Sequence, residues 1–339
     1  MVTHLLLDCT SKNNDKEWIE RELTAKGVKI AVSYPDKTLS ELVRSGQLIR
    51  GYYLQIVQVI KVLLKAKKNE PIICWYSVTG IILNALSRIC GNHHELVLLN
   101  WLTPPSKVRR VDKLYRFALS NPKVKILINL QETEFQWRKH LGVTLQQSAR
   151  FFHNPDVYDD SESFHNPIWH DNKYVFIGGM TNRNWKLVNE IATRMPNVSF
   201  VCCALKPDFE RQVFDKASNI IIHYNIPFEE YYTLMLGSSL SLIPLKDKSV
   251  SGLVTILKTI QFGIPCIVSD YPATRQYFIN GFEDYCLCKG PVEKWISSIS
   301  NILNMDRYEY VSLVEKLQSN IKKSFSPVSS VNIILQALK

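Results

Sequence analysis

Short apolar segments alternate with longer segments of helical periodicity along most of this chain. Segments of this length and apolar content are typical of buried strands. In the first half they predict strands in the ranges 4–10, 28–35, 70–77, 94–102, 123–130 and 149–157. In the second half they predict strands in the ranges 173–179, 197–204, 219–226, 240–245, 265–270 and 285–288. Strands that alternate with helices predict an α/β fold built on parallel sheets.

The intervening segments carry apolar residues at helical spacing. In the first half they predict helices in the ranges 15–27, 51–69, 78–91, 108–122 and 131–142. In the second half they predict helices in the ranges 184–196, 207–218, 227–239, 253–263, 272–281 and 290–304. Two further helices are expected at the end of the chain. Both halves therefore have the doubly wound pattern of a Rossmann-like domain.

One segment interrupts this alternation. Residues 154–172, NPDVYDDSESFHNPIWHDN, are polar and acidic and contain two prolines, which predict an irregular connection between domains. We therefore expect one Rossmann-like domain at residues 1–160 and a second at residues 161–325. Because ligands of such sheets bind outside the carboxyl ends of the strands, the cleft between two facing domains is the expected site.

Length and composition agree with two globular domains. The chain has 339 residues, 46% of them hydrophobic and 21% charged. The amino-terminal segment has no basic region before its short apolar run, and no window is long and apolar enough for a membrane span. We therefore expect a cytoplasmic protein. Most of the 8 cysteines lie in apolar segments without the spacing of a zinc site, so we expect reduced, mostly buried thiols.

The positive charge is concentrated in one segment. The formal net charge is +10, and residues 107–125 carry seven basic side chains against one acid. Arg109, Arg110, Lys113 and Arg116 lie on or near the polar face of the predicted helix there. One interpretation is contact with an anionic membrane surface, and the other is a solvated helix face. We expect no nucleic-acid partner, because no zinc-finger, RNP or helix-turn-helix signature is present.

A loop suited to an anion follows the predicted strand at 240–245. Gly252 allows a ligand to approach the backbone closely, and Ser251 is placed to cap the helix that follows. Thr255 lies in the first turn of this helix, and Lys258 lies one to two turns into it. Free backbone N–H groups and the helix dipole make such an amino terminus an anion site. A capped helix without a ligand is the alternative.

A second loop is expected at the same edge of the sheet. Gly178 and Gly179 permit a tight turn after the strand at 173–179, and Arg183 comes near the start of the next helix. In a parallel sheet both loops lie at the carboxyl ends of strands. Arg183 and the Gly252 loop therefore form a candidate diphosphate site, with bidentate contacts from the arginine. A surface arginine is the alternative.

These features occur in the order found in a known enzyme family. FIGGMTNRNWKLVNEIA, PFEEYYTLMLGSSLSLIPL, SGLVTILKTIQFGIPCIVSD and ATRQYFINGF follow one another over residues 173–300. The second half thus resembles the donor-binding half of GT-B glycosyltransferases of the family 4 type. The resemblance implies a nucleoside diphosphate sugar donor, a retaining transfer and no essential metal. It also implies that the helix at 326–339 packs back on the first domain.

The resemblance has departures at charged positions. The family carries two glutamates in this helix region, and here Val250 and Lys258 stand in their places. The second glutamate accepts hydrogen bonds from the donor ribose, which a lysine cannot do. The family's basic pair is reduced to Arg183. Our hypothesis is that Arg183 and Lys258 act catalytically by stabilising the leaving phosphate. The residues expected to bind the donor are Gly178, Gly179, Arg183, Ser251, Gly252, Thr255 and Lys258.

The first half offers candidates for an acceptor site. Ser11 follows the first strand, Trp75 and Tyr76 follow the third, and Asn100 and Trp101 end the fourth. Aromatic rings at these strand ends would stack on sugar faces, or they would serve as core residues.

The expected function is the transfer of a sugar to a lipid-linked glycan acceptor during surface polysaccharide assembly. We also expect the protein to contact the inner face of the membrane peripherally. Two alternatives remain at the sequence level. Lys258 and Val250 favour a catalytically silent partner subunit of a glycosyltransferase. A sugar nucleotide epimerase shares the two-lobed fold, but Asp8, Asp247 and Asp270 are few for its carboxylate cluster.

Overall fold

The computed structural model describes residues 1–11, 16–38, 41–42, 45–75, 77–91, 94–101, 112–141, 150–171, 173–179, 181–248, 250–279 and 281–339. The strands are β1 (Val2–Leu6), β2 (Lys29–Ser33), β3 (Ile72–Cys74), β4 (Leu96–Trp101), β5 (Val124–Ile128), β6 (Arg150–His153), β7 (Tyr174–Gly178), β8 (Ser199–Ala204), β9 (Ile220–Tyr224), β10 (Leu240–Ile243), β11 (Cys266–Ser269) and β12 (Leu287–Cys288).

Helices occupy most of the segments between these strands. They are α1 (Glu17–Ala25), α2 (Leu48–Lys65), α3 (Ser77–Ile89), α4 (Asp112–Leu119), α5 (Glu132–Leu141), α6 (Trp185–Arg194), α7 (Lys206–Glu210), α8 (Phe228–Leu236), α9 (Leu253–Gln261), α10 (Pro272–Arg275), α11 (Glu283–Cys286), α12 (Val292–Leu303), α13 (Arg307–Ser324) and α14 (Pro327–Ala337).

The chain divides into two compact units. The first unit contains residues 1–155 and 327–339, and the second contains residues 156–326. Each is built on a six-stranded sheet, in the order β2-β1-β3-β4-β5-β6 in the first and β12-β11-β10-β7-β8-β9 in the second. All of the neighbouring strands run parallel. This confirms the α/β fold with two Rossmann-like sheets that the hydrophobic pattern predicts.

Apolar residues cover both faces of the first sheet. Successive side chains of a strand point to opposite faces. In β4, Leu96 and Leu98 join one core cluster, while Val97 and Leu99 join the other. A strand buried on both sides needs a continuous apolar segment, which is what the sequence shows here.

The carboxyl-terminal helix belongs to the first unit. Val331 and Ile334 of α14 are fully buried in the same cluster as Ile19 and Leu23 of α1. Although α14 follows the second unit in sequence, it completes a layer of helices on the first sheet.

The second unit has a larger core on one face of its sheet. Val175 and Ile177 of β7 pack with Trp185 of α6 and Trp295 of α12. Phe176, which alternates with them, points to the opposite cluster with residues of α8 and of the turn after α9. The carboxyl end of β7 is therefore held between two packed layers.

The segment after β6 is attached to the second unit. The His165 backbone N–H donates to the Gln261 carbonyl at 2.9 Å, and the Gln318 side chain donates to the His165 carbonyl at 2.8 Å. The described part of this segment contains no helix or strand, in agreement with its polar, proline-containing sequence.

Two helices are shorter than the pattern predicts. One is α10, because the helix predicted at 272–281 ends at Arg275 in the structure. The prediction of a helix at 207–218 is wrong beyond Glu210, where α7 ends in a turn. Phe214, expected at an apolar position, is 95% exposed, so no packing supports a longer helix there. In the parts of the chain that the structure describes, no helix is long and apolar enough to cross a membrane.

Candidate functional site

Two loops at the carboxyl edge of the second sheet are bonded to each other. The Asn184 backbone N–H donates to the Pro244 carbonyl at 2.9 Å, and the Lys246 N–H donates to the Asn182 carbonyl at 3.1 Å. An isolated antiparallel bridge joins Arg183 and Leu245. The loop after β7 and the loop after β10 therefore form one rigid element, which brings Arg183 to the start of α9.

Arg183 is a buried cation. It is 2% exposed, and its Nε donates to the Gly178 carbonyl at 2.8 Å. Its Nη1 donates to the Thr181 carbonyl at 3.3 Å, and its Nη2 to the Thr255 hydroxyl at 3.4 Å. Among the described residues no carboxylate pairs with it, and burial lowers the pKa of Arg183 to about 10. At neutral pH this guanidinium is charged and uncompensated, an arrangement that favours an anionic ligand.

Two glycines make room for this guanidinium. A Cβ at Gly179, whose φ is +143°, would overlap the Arg183 side chain. A Cβ at Gly252, whose φ is +78°, would lie 3.4 Å from Arg183 Nη1 and 3.1 Å from Ile243 Cγ2. Both positions also have positive φ, which a residue with a side chain adopts at a cost. The predicted association of the two glycine loops with Arg183 is thus what the structure shows.

The start of α9 differs from the expected cap. The N-cap is Gly252 in the left-handed conformation, and no described side chain accepts a hydrogen bond from the first turn. The expectation that Ser251 caps this helix is wrong, because the left-handed glycine turns the chain one residue later. The first N–H groups of α9 thus lack a side-chain partner among the described residues, as an anion site at a helix amino terminus requires.

Thr255 connects Arg183 to Tyr231. Thr255 lies in the first turn of α9, and its hydroxyl hydrogen-bonds both the Arg183 guanidinium and the Tyr231 hydroxyl. Burial raises the pKa of Tyr231 to about 12, against the opposing effect of the Arg183 charge. Tyr231 is therefore a neutral hydrogen-bonding group at physiological pH.

Lys258 is paired with two carboxylates of the segment after β6. Its Nζ lies 3.1 Å from Asp159 Oδ2 and 3.0 Å from Glu162 Oε2. Gln261, one turn later, donates to the carbonyls of Asp159 and Glu162 at 2.5 and 2.7 Å. We call Lys258, Asp159 and Glu162 the ion triad. It carries a net charge of −1, so Lys258 is not the free cation that a phosphate-binding role would use.

The ion triad shifts the pKa of Lys258 and of Asp159. Burial lowers the pKa of Lys258, but hydrogen bonds to Glu162 and Asp159 outweigh this effect and raise it. Burial raises the pKa of Asp159, but hydrogen bonds from Ser161 and Lys258 outweigh that effect and lower it. Lys258 and Asp159 are therefore both charged near neutral pH.

A pocket of about 510 Å³ opens beside Arg183 and the ion triad. Its walls come from the loops after β7, β8 and β9 and from one side of α8 and α9. It is lined by Gly179, Cys203, Ala204, Leu205, Asn225, Ile226, Phe228, Tyr231, Tyr232, Met235, Val254, Thr255 and Lys258. Arg183 lies directly behind Gly179 and Thr255. The pocket thus has an apolar wall, with the Arg183 guanidinium buried directly behind one end of it.

The acceptor-side candidates lie in the first unit. Ser11 is exposed, and Trp75 is half-buried with its ring edge-on to Trp18. Asn100 has a φ of +50° at the end of β4. Trp101 is 1% exposed and packs in the core, so of its two expected roles the structure shows the core role. Tyr76 lies outside the described residues.

The basic segment is described only in part. Lys113 and Arg116 of α4 are exposed, whereas Arg109 and Arg110 lie outside the described residues. Within the described part of the chain, no group of three or more histidine, cysteine or acidic side chains could hold a metal ion. That a metal is not essential stays a prediction.

Sequence analysis missed several residues of this site. Tyr231 and Tyr232 lie within a segment already matched to the family, so their position on α8 was a usable signal. Asp159 and Glu162 belong to the acidic segment after β6, but no local pattern relates them to Lys258, nearly 100 residues later in the chain.

The whole chain is similar to solved GT-B structures. An E. coli trehalose-6-phosphate synthase, solved with UDP-2-fluoro glucose, matches with a TM-score of 0.74 and 9% identity over 100% of this chain and 99% of that chain. A Burkholderia vietnamiensis trehalose-phosphate synthase (UDP-forming) matches with a TM-score of 0.71 and 10% identity, covering 99% and 97%. A Rickettsia africae glycosyltransferase matches with a TM-score of 0.68 and 11% identity, covering 100% and 98%.

No protein family model and no curated protein sequence matches this chain. At this identity the structural likeness establishes the fold. The chain has the GT-B fold that the order of its motifs indicates.

Proposed function

We propose that this GT-B chain is a glycosyltransferase that moves a sugar from a nucleoside diphosphate sugar to a glycan acceptor. The observation that carries the proposal is Arg183. A buried guanidinium without a described acidic partner lies between the Gly179 loop and the uncapped start of α9. Burying such a charge opposes folding, and a bound diphosphate supplies the missing counter-charge. Similar structures include one solved with a nucleotide sugar analogue, which supports this ligand class.

The pocket beside Arg183 accommodates the nucleoside. Its apolar wall includes Ile226 and Phe228, against which a base stacks, and Asn225 offers an amide at the rim. With the base on this wall, the diphosphate extends toward Thr255 and the first turn of α9. The sugar then lies beyond Gly179.

The ion triad supplies the carboxylates that Lys258 itself lacks. In the family that this half resembles, a glutamate in place of Lys258 accepts hydrogen bonds from the donor ribose. Here Lys258, which lines the pocket, holds Asp159 and Glu162 within 3.1 Å of its ammonium. We assign ribose recognition to these carboxylates and a positioning role to Lys258, in place of the phosphate role expected from sequence.

This assignment predicts a specific loss of ribose recognition. The wild type binds its ribonucleoside diphosphate more tightly than the 2′,3′-dideoxy analogue. In Glu162→Gln and Asp159→Asn we expect this preference to fall by at least about threefold, because a neutral acceptor forms a weaker hydrogen bond. Asp171→Asn, in the same segment, is the control. An unchanged preference in both triad variants contradicts the assignment.

The transfer requires positioning and charge at the leaving group. As the sugar–phosphate bond breaks, negative charge develops on the departing diphosphate. Arg183 and the N–H groups at the start of α9 stabilise that charge without moving. A departing phosphate oxygen is itself available to accept the acceptor's proton, so a retaining transfer needs no additional protein base.

The finer proposal concerns the acceptor. Surface polysaccharide assembly on a lipid-linked acceptor places the first unit next to the inner membrane face. The exposed basic residues Lys113 and Arg116, with Arg109 and Arg110 before them, favour an anionic surface there. Ser11, Trp75, Tyr76 and Asn100 remain the acceptor-side candidates.

One observation favours a second candidate function. Lys258 is locked in two ion pairs, and Val250 cannot bind a ribose or a phosphate. A catalytically silent partner subunit would tolerate both changes. The epimerase has no comparable support, because Asp270 is paired with Arg275 and Asp247 accepts a hydrogen bond from Asn182.

Turnover distinguishes the two functions. The purified chain is incubated without added metal with nucleoside diphosphate sugars and a lipid extract that contains glycan acceptors. A transferase releases the nucleoside diphosphate and labels the lipid fraction, with retention of anomeric configuration visible by NMR. Arg183→Ala should abolish the transfer, and Arg194→Ala should not. Nucleotide binding without turnover for any donor supports the silent partner instead.

A further inference from the structure

The face of α2 that contacts the first sheet is partly polar. Val59 and Val62 are buried there, together with Gln55 and Gln58. The Gln58 side chain donates to the carbonyls of Leu7 and Ser33 at 3.3 and 3.0 Å. These hydrogen bonds fix the helix to the ends of β1 and β2, so its orientation is set by specific contacts.

The opposite face of α2 is apolar and exposed. Large apolar side chains recur there at spacings of three or four residues, which places them in one stripe along the helix. We define the α2 stripe as Ile49, Tyr53, Ile56, Ile60 and Leu64, with exposed fractions of 86%, 62%, 38%, 42% and 81%. This inverts the ordinary arrangement of a surface helix, because glutamines point inward and isoleucines outward. A contiguous exposed stripe of this kind marks an interaction surface.

The stripe continues into a recess at the end of the helix. A cavity of about 340 Å³ lies between α2 and α3, lined in part by Ile60, Leu63, Leu64 and Leu86. Ile89, at the end of α3, is 78% exposed. The apolar surface therefore widens beyond α2 and offers a recess wide enough for the end of an acyl chain.

Basic residues accompany the stripe. Arg50, Lys61 and Lys65 lie on α2, which contains no acidic residue, and Lys67 and Lys68 follow it. All five are exposed. An apolar stripe beside lysine and arginine is the pattern of a helix that lies in the plane of a membrane surface. Two copies of this chain pairing through α2 would instead bring like charges together.

We propose that α2 is the surface by which this chain lies on an anionic phospholipid membrane. The α2 stripe enters the boundary between headgroups and acyl chains, and the basic residues contact lipid phosphates. The biological role of this membrane contact rests on the proposed function, because a lipid-linked acceptor is located at a membrane surface. The surface lies in the first unit and is distinct from the basic segment of α4.

Flotation of the full-length chain with lipid vesicles tests the proposal. We expect binding to vesicles of phosphatidylcholine with about 40% phosphatidylglycerol, much weaker binding to phosphatidylcholine alone, and weakening by salt. The double variants Ile49→Ser/Leu64→Ser and Lys61→Glu/Lys65→Glu should each lower binding by at least about tenfold. Phe214→Ser/Tyr308→Ser changes two equally exposed aromatic residues of the second unit and should leave binding unchanged.

Three outcomes would overturn the proposal. In the first, the wild type does not float with anionic vesicles. In the second, the α2 variants float as well as the wild type does. In the third outcome, only Lys113→Glu/Arg116→Glu lowers binding, which would make α4 the membrane contact. Circular dichroism and calorimetric unfolding of the same preparations show whether the first unit of each variant is folded, and nucleotide titration tests the proposed function separately. If nucleotides fail to bind while flotation depends on α2, the proposed function fails and the membrane surface stands.

Discussion

At the scale of single residues, Arg183 is the residue on which the assignment of the donor site depends most. It is the buried cation in the second unit for which the described residues offer hydrogen bonds but no carboxylate. The sequence alone indicated its place, because an arginine after a double-glycine turn at a strand end is a recognisable pattern. It could not indicate burial behind the pocket wall, which depends on how tightly Gly179 and Gly252 close around the guanidinium.

Replacing Arg183 should cost little stability and most of the ligand affinity. The lowered pKa of Arg183 corresponds to a burial cost on the order of 3 kcal/mol at neutral pH, offset by its hydrogen bonds. We therefore expect the unfolding free energy of Arg183→Met to lie within about 1 kcal/mol of wild type, measured by denaturant unfolding without ligand. A loss of more than about 3 kcal/mol would show that Arg183 serves mainly to stabilise the fold.

The glycine at 179 allows a matched comparison with Gly290. Both have positive φ, but no described atom lies within 4 Å of a Cβ at Gly290, whereas one at Gly179 overlaps Arg183. Gly290→Ala should cost about 1–2 kcal/mol of backbone strain and keep nucleotide affinity. Gly179→Ala should lower the unfolding free energy by a similar amount. It should also lower the nucleotide affinity by about tenfold, because the added methyl group displaces the Arg183 guanidinium. Equal nucleotide affinities of the two variants would show that Gly179 does not contribute to the nucleotide site.

At the scale of elements, hydrophobic patterns predicted which segments are helices but not which face each helix buries. α2 is the clearest case. Its apolar residues fit an amphipathic helix, yet the structure buries Gln55 and Gln58 and exposes Ile49 and Leu64. The choice depends on acceptors at the ends of β1 and β2, which are distant in sequence. The attachment of α9 to the acidic segment after β6 could not be predicted for the same reason.

The ion triad makes the stability of the second unit depend on pH. The folded pKa of Asp159 is lowered below its usual 3.8, so its contribution is complete above about pH 4 and is lost as the pH falls through the folded value. The folded pKa of Lys258 is raised above 10.5, so its contribution is complete below that pH and is lost at higher pH.

Denaturant unfolding of the wild type and Lys258→Met measures this dependence. The difference in unfolding free energy should be largest between about pH 4 and pH 10 and should shrink as the pH falls below that range. Because Asp159 is half exposed, we expect the acid-dependent part to be below about 1 kcal/mol. A difference that is independent of pH would mean that Lys258 acts through packing alone.

At the scale of the whole molecule, the two sheets could be predicted from the sequence because each strand is a short apolar segment between helical ones. Every predicted strand is present, and α7 and α10 are shorter than the helices predicted in their places. The assignment of α14 to the first unit depends on its contacts with α1, which its own sequence does not reveal.

The contiguous second unit should therefore be separable. Residues 156–326 should fold alone and bind the nucleotide, because the proposed donor site lies entirely within them. A chain ending at Ser326 loses the burial of Val331 and Ile334, worth about 3–6 kcal/mol, which is comparable to the stability of a domain. We expect calorimetric unfolding of that chain to lose the transition of the first unit. Nucleotide binding that requires residues 1–155 would contradict this division.

The central claim is that the second unit binds a nucleoside diphosphate through Arg183. The most direct measurement is a calorimetric titration of UDP, GDP, CDP and ADP, without added metal, into wild type, Arg183→Met and Arg194→Met. Arg194 is an exposed arginine of the same unit, paired with Glu293. We predict that at least one nucleotide binds the wild type and Arg194→Met equally, and binds Arg183→Met at least about tenfold more weakly. No binding at millimolar concentration, or equal binding to all three proteins, would contradict the account.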